Sequence, residues 1–180
     1  MKRISNSPIL RIFVASLCAT LLVGATSHEE NARVGNFEER LLAVHNSERA
    51  KLGLLPLDWN ADLAKGAEKW AAYLASTSRF EHSPTAPGID PEGENIWGGT
   101  ASAFTIENMV ELWIAEKKYF QTGAFPNNSI TGDPSDVSHY TQIIWHDTRE
   151  VGCGLSRSNG EEVLVCRYTR PGNILGEKPY

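Results

Sequence analysis

The sequence lacks the features that mark several large classes of protein. It has three cysteines and two methionines in 180 residues, with no internal repeat and no linear metal-binding motif such as His-Glu-x-x-His. Acidic and basic residues are interleaved and give a formal net charge of -5, which excludes a nucleic-acid-binding stripe and a polybasic membrane patch. The length and the hydrophobic content of 41% are those of one soluble globular domain.

The N-terminus has the three regions of a secretory signal peptide. Lys2 and Arg3 give a positive start, the apolar run Ile12–Val23 follows, and Val23-Gly24-Ala25 is an acceptable cleavage site. The apolar run is shorter than the roughly 20 residues of a membrane-spanning helix, although an uncleaved anchor is the alternative. We therefore predict a signal peptide over 1–25, a loose arm over 26–36, a domain over 37–180, and an extracellular or periplasmic location with no stable membrane span.

The two cysteines that remain after signal cleavage are predicted to form a disulfide. Cleavage removes Cys18 and leaves Cys153 and Cys166, in an exported setting that permits disulfides. Asn159-Gly160 lies between them, and Asn-Gly is the preferred centre of a two-residue hairpin turn. Counting outward from that turn places the cysteines opposite each other as a non-hydrogen-bonded pair, with Cα atoms about 4.5 Å apart. A disulfide accepts roughly 4.4–6.8 Å, and two buried free thiols are the alternative.

Apolar spacing predicts two amphipathic helices in the first half of the domain. The first begins with a capping box at Asn36 and ends at Gly53, and the second begins at about Asn60 after a short link. Three prolines between 76 and 92 forbid a helix there, so this segment is predicted to be irregular.

A third helix follows a short extended segment over 93–97 and begins near Thr105. Its apolar arc consists of Ile106, Met109, Val110, Trp113 and Phe120. Glu116 lies at the edge of this arc, one turn after Trp113. Because a carboxylate on the inward side of a helix is costly unless it is paired, we expect Glu116 to have a partner.

A histidine and a glutamine interrupt the apolar stretch that forms a short fourth helix, 136–145. The apolar residues 143–145 indicate burial on one side, so His139 and Gln142 are expected at the edge of a cleft; a satisfied structural histidine is the alternative. His82 lies in the irregular segment before Glu94, where a scaffold positions functional loops. Spacing alone does not show that these residues converge with Glu116.

Several motifs occur together in one order along most of the chain. They are His45-Asn46-Ser47-Glu48-Arg49, Pro56-Leu57-Asp58-Trp59, Gly93-Glu94-Asn95-Ile96-Trp97, Trp113 with Glu116, Ser138-His139-Tyr140-Thr141-Gln142 with Ile143-Ile144-Trp145, Val151-Gly152-Cys153-Gly154, and Val165-Cys166-Arg167-Tyr168 with Pro171-Gly172-Asn173. From about Phe37 to Tyr180 the chain thereby resembles the CAP superfamily, the cysteine-rich secretory, antigen 5 and pathogenesis-related 1 group. Ser138 stands where the family commonly has glycine, and Arg167 where asparagine is more usual. Two cysteines, in place of the six of most plant members, point to a bacterial-type member.

The resemblance implies an α+β fold, a three-layer α-β-α sandwich with a small, mainly antiparallel sheet between helices. It also implies a cleft formed by four side chains, with Asn95 and Gln142 in support: His82, Glu94, Glu116 and His139. Two imidazoles and two carboxylates suit a divalent metal such as zinc. In that arrangement His82 and His139 would be the ligands, while the glutamates would orient them or a bound water.

Two functions fit such a cleft. The first is a secreted binding module, in which the cleft or the loop around Phe120–Ile130 holds a lipid, sterol, glycan or protein partner. The second is a metal-dependent hydrolase or peptidase with Glu94 or Glu116 as general base. Two histidines fall short of the three protein ligands usual at a catalytic zinc, and no fixed nucleophile is evident. In a third interpretation the four residues are only a hydrogen-bonded polar core.

Overall fold

The computed structural model describes residues 37–85 and 91–180. These residues form helices packed on both sides of a four-stranded sheet. The predicted signal peptide, the arm and the Asn36 capping box lie outside these residues. Within them, no helix is long and apolar enough to cross a bilayer.

The helices and strands alternate irregularly along the chain. In order they are α1 (37–51), β1 (Asp58–Trp59), α2 (Ala61–Thr77), β2 (Glu92–Thr100), α3 (Ile106–Ile114), a 3₁₀ turn (Ala115–Lys118), a second 3₁₀ turn (Pro134–Asp136), α4 (Ser138–Ile143), β3 (Glu150–Ser158) and β4 (Glu161–Thr169). The sheet order is β1-β3-β4-β2, with β1 parallel to β3 and the other pairs antiparallel. Strand β2 is therefore an edge strand of this sheet.

The two faces of the sheet are covered by different helices. On one face Ile96, Val163 and Val165 pack against the apolar side of α2. On the other face Leu164 and Tyr168 pack with residues of α1, α3 and α4. Successive apolar side chains of β4 thus point to opposite faces of the sheet, as expected for a strand that is buried on both faces. The predicted three-layer α-β-α sandwich is thereby confirmed.

Helix α2 lies directly on β3 because two residues of that strand are glycines. A Cβ atom on Gly152 would collide with the backbone of Asn60 and Ala64, and one on Gly154 with the backbone of Glu68. The Val-Gly-Cys-Gly motif thus sets how closely the helix approaches the sheet. Asn60 also caps α2, since its side chain accepts the N–H groups of two first-turn residues.

The hairpin and its disulfide are confirmed. Asn159 and Gly160 have φ values of +53° and +79°, the left-handed conformation that a type I′ turn requires at both positions. The register pairs Ser158 with Glu161 and Cys153 with Cys166. The two cysteines are bonded, and their Cα atoms lie 4.1 Å apart, slightly closer than expected.

Two element boundaries differ from the sequence predictions, and one strand was not predicted. Helix α3 ends at Ile114, so Glu116 belongs to the 3₁₀ turn that follows. Helix α4 covers 138–143 rather than 136–145. Asp136 belongs to the preceding 3₁₀ turn, and at the other end the buried Arg49 guanidinium donates to the carbonyls of Ile143 and Trp145 at 2.8 and 2.9 Å. Strand β1 was not predicted, since only its pairing with β3 makes these two residues a strand.

Replacing both cysteines with alanine should lower the free energy of unfolding by about 3 kcal/mol, because the bond closes a loop with a sequence separation of 13. Chemical denaturation measures the difference, and the reduced wild-type protein is the matched control. A double variant as stable as the oxidised wild type would contradict the expectation.

Candidate functional site: two histidine–glutamate pairs

The His139–Glu116 pair joins the start of α4 to the 3₁₀ turn after α3. Nδ1 of His139 donates to Oε1 of Glu116 at 2.6 Å, and Oε2 accepts the backbone N–H groups of His139 and Tyr140 at 3.0 and 3.1 Å. Glu116 thus satisfies the first amides of α4 as an N-cap would, but from another element. The Trp113 ring lies nearly parallel to the imidazole, at 6.0 Å between centroids. The expected partner of Glu116 is therefore His139.

The His82–Glu94 pair joins the irregular segment after α2 to strand β2. Oε1 of Glu94 accepts from Nδ1 of His82 at 2.8 Å and from the Ser83 amide at 2.9 Å. The Glu94 side chain is 8% exposed, whereas that of His82 is 67% exposed.

The charges of this second pair are mutually supporting. Burial acts to raise the pKa of Glu94, but the hydrogen bonds from His82 and Ser83 and the charge of Arg167 outweigh it, so the pKa is lowered. The hydrogen bond to Glu94 raises the pKa of His82, although burial opposes it. Both shifts favour an ionised carboxylate that accepts a hydrogen bond from the imidazole N–H.

The two pairs are attached to β2 through neighbouring residues whose side chains point to opposite faces of this edge strand. Side chains alternate along a strand, so Glu94 shares the α2 face with Ile96, whereas Asn95 faces the other way. Asn95 donates to the backbone carbonyl of His139 at 3.1 Å and thereby ties α4 to this strand. Over residues 37–85 and 91–180, no three His, Cys, Asp or Glu side chains are grouped as a metal site. The single four-residue cleft stays a prediction.

Gln142 supports the site from within rather than lining its edge, because it is only 3% exposed. Its Oε1 accepts the Gly172 amide at 2.7 Å, and its Nε2 donates to Thr148 at 3.2 Å. The side chain fills the space where a Cβ on Gly93 or Gly172 would stand. Gln142 therefore clamps α4 to the start of β2 and to the C-terminal segment.

A buried chain of hydrogen bonds connects the site to α1. Nδ1 of His45 donates to the Leu41 carbonyl at 2.8 Å, so its Nε2 accepts from the Tyr168 hydroxyl at 3.0 Å. Asn95 donates to the same hydroxyl at 3.3 Å. Burial lowers the pKa of His45 to about 4, and the Arg49 cation lowers it too, against the opposing hydrogen bond to the carbonyl. His45 is accordingly neutral in the folded protein.

Sequence reasoning did not assign three residues to the site: Ser83, Arg167 and Tyr168. Ser83 acts through its backbone amide, which no side-chain pattern can reveal. Arg167 was visible only as a departure from the family pattern, and Tyr168 only as part of a motif. Their roles depend on the pairing of β4 with β2, which aligns Arg167 with Glu94 and Tyr168 with Gly93.

The fold is that of a three-layer α-β-α sandwich domain. The profile of the cysteine-rich secretory protein family, CAP, matches residues 42–168, and the chain belongs to this family. Over 169 residues it is 32% identical to pathogenesis-related protein 1B of Nicotiana tabacum, covering 93% of this chain and 92% of that protein. It is also 32% identical over 170 residues to pathogenesis-related protein PRMS of Zea mays, covering 93% and 96%.

Solved structures share the fold at lower identity. The crystal structure of NaASP2 with Zn²⁺ matches with a TM-score of 0.66 and 22% identity, over 79% of this chain and 84% of that one. Venom allergen-like protein 4 of Schistosoma mansoni matches with a TM-score of 0.60 and 23% identity, over 79% and 92%. These similarities support the architecture alone.

Replacing His45 with glutamine should remove part of the pH dependence of stability. The pKa of His45 is about 4 in the folded protein and 6.5 in an exposed histidine, so the unfolded chain binds the proton first. His45 therefore stabilises fully above about pH 6.5, and this stability is lost as the pH falls toward 4. Up to about 3 kcal/mol of unfolding free energy should be lost over this window in the wild type, and less in H45Q.

Denaturant unfolding at several pH values measures this difference. His146→Gln is the matched control, because it removes an exposed histidine rather than a buried one. The raised pKa of His82 gives the opposite slope in all three proteins and cancels in the comparison. Equal slopes for the wild type and H45Q would contradict the prediction.

Proposed function

We propose that this chain is an exported binding module whose ligand site is formed by the two histidine–glutamate pairs. The supporting observation is that each imidazole uses Nδ1 to contact a carboxylate, so Nε2 is left to meet a ligand. His139 is 31% exposed and His82 more so, and both rings are therefore accessible. The signal-like residues 1–25 and the secretory character of the family support export.

A divalent metal such as zinc fits this donor set. Protein-bound zinc commonly takes imidazole nitrogen, and a ligating histidine usually donates its other N–H to a carboxylate. His82 and His139 would hold the ion through Nε2, while Glu94 and Glu116 would orient the rings. Two protein ligands leave coordination positions for a ligand or partner, which suits a binding site. One structural relative, NaASP2, has a crystal structure with Zn²⁺.

The loop beside the His139–Glu116 pair offers an apolar contact surface. Ile130 is 62% exposed and Tyr119 is 37% exposed, and the amide of Ile130 donates to the carbonyl of Tyr119 at 2.8 Å. The amide of Tyr119 in turn donates to the carbonyl of Glu116 at 2.9 Å, so Tyr119 directly follows the turn that carries the carboxylate, and Ile130 is bonded to Tyr119. A ligand with an apolar body and one polar group fits this rim. We therefore propose a lipid or sterol ligand, with a glycan or protein partner as the alternative.

The hydrolase alternative is less well supported by the geometry. A general base needs a lone pair that faces the substrate or its attacking water. Glu116 already accepts three hydrogen bonds, and Oε1 of Glu94 accepts two. The lowered pKa of Glu94 also makes it a weaker base. Both carboxylates are thus better suited to orient histidines than to remove protons.

Replacing His82 or His139 with alanine should weaken zinc binding by roughly tenfold or more at pH 7.5, because each removes one of two proposed ligands. Isothermal titration with zinc chloride measures the affinity, with circular dichroism as a check on folding. His146→Ala is the matched control, since it removes an exposed histidine from another surface. Unchanged affinity in both site variants would exclude these two residues as ligands.

Ile130→Ser should weaken the binding of a sterol or fatty acid by roughly tenfold, because it removes an exposed apolar side chain from the proposed rim. Titration of the protein with cholesterol and with palmitate measures saturable binding. Leu175→Ser is the matched control, since Leu175 is 75% exposed in the C-terminal segment. No saturable binding of either lipid by the wild type would eliminate the lipid proposal and leave the glycan or protein partner.

A further inference from the structure

Two buried charged atoms face each other beside the His82–Glu94 pair. Oε2 of Glu94 and Nε of Arg167 both lack a hydrogen-bond partner among the described residues, although both are buried. They lie 3.4 Å apart, which makes them an ion pair rather than a well-formed hydrogen bond. A buried carboxylate oxygen with no partner is costly, so Arg167 is the group that compensates this oxygen.

The sheet itself fixes this ion pair. Glu94 and Arg167 are directly opposite each other in the β2–β4 register, so their side chains share one face. The Arg167 side chain is 19% exposed, and its Nη1 also lies 3.4 Å from Glu92 at the start of β2. The guanidinium is therefore anchored by strand residues, whereas His82 lies in an irregular segment.

A glycine in the middle of α2 makes room for the guanidinium. A Cβ on Gly66 would lie 2.9 Å from Nη1 of Arg167, so any larger residue would displace it. Glycine is unfavourable inside a helix compared with alanine. Space for Arg167 accounts for a glycine at this position.

We propose that Arg167 is a positioning residue: it holds the Glu94 carboxylate against His82 and Ser83, and so presents the His82 imidazole at the site. Arg167 stands where asparagine is usual in the family. Because Arg167 holds Glu94, the position of the His82 ring depends on the β2–β4 register and on the space above Gly66. Its consequence for ligand affinity rests on the proposed function, but the placement itself does not.

The amide of Ser83 reports on this placement, because it donates to the same Glu94 oxygen as His82. Amide exchange measured by NMR on the metal-free protein should be roughly tenfold faster at Ser83 in Arg167→Gln, the loss expected for a hydrogen bond to a charged group. Arg167→Lys keeps the charge and should give an intermediate rate. Amides in the middle of β4 should exchange at the wild-type rate.

Gly66→Ala separates positioning from stability. Alanine favours the helix, so the melting temperature should not fall, yet Ser83 should exchange about threefold faster because Nη1 must move. Arg157→Gln is the matched control, since Arg157 also pairs with a buried glutamate, Glu162, in the same sheet. Arg157→Gln should leave the exchange rate of the Ser83 amide unchanged.

Ser83 exchange within twofold of wild type in Arg167→Gln, or an equal acceleration in Arg157→Gln, would overturn the proposal. A zinc titration of the wild type and Arg167→Gln distinguishes this from the proposed function. If the wild type binds no zinc while Ser83 responds as expected, the metal proposal fails and the positioning role stands. If zinc binds and the exchange rate of the Ser83 amide does not change in Arg167→Gln, the positioning role fails and the metal proposal stands.

Discussion

The buried hydrogen bonds around Tyr168 determine where His139 stands. The Tyr168 hydroxyl can donate to His45 only if that imidazole is neutral, and it then accepts from Asn95, whose amide also holds the carbonyl of His139. One consistent set of donors and acceptors therefore links α1, β4, β2 and α4. Unpaired polar groups at this depth are costly, so these four elements are constrained together. The position of His139, a proposed ligand, therefore depends on α1 through this network.

The two histidine–glutamate pairs are similar in contact but different in support. Glu116 is stabilised by backbone amides at the start of α4, which belong to the same element as its histidine. Glu94 is stabilised by the Ser83 amide and by the Arg167 cation from the neighbouring strand. The first pair is therefore held by α4, and the second is held by the sheet. A ligand that contacts both would join two separately supported parts of the domain.

Local patterns predicted the elements whose causes are local. Asn159-Gly160 places both turn residues in the left-handed region, and the strand alternation then puts Cys153 opposite Cys166 without help from the rest of the chain. Helix α2 begins where its Asn60 cap indicates. Predictions were less accurate where a distant residue intervenes. Helix α4 ends two residues earlier than predicted, and Arg49, far away in sequence, donates to the carbonyl of its last residue, Ile143, and to that of Trp145 beyond it.

The sequence by itself determined the hairpin with its disulfide, the apolar faces of the helices and the need of Glu116 for a partner. These follow from spacing, turn chemistry and the cost of burying a charge, all of which act between near neighbours in sequence. Only the tertiary structure decided which histidine each glutamate binds, that Gln142 is a buried clamp, and that Arg167 faces Glu94. Those contacts depend on strand register and helix placement, which the whole core fixes at once.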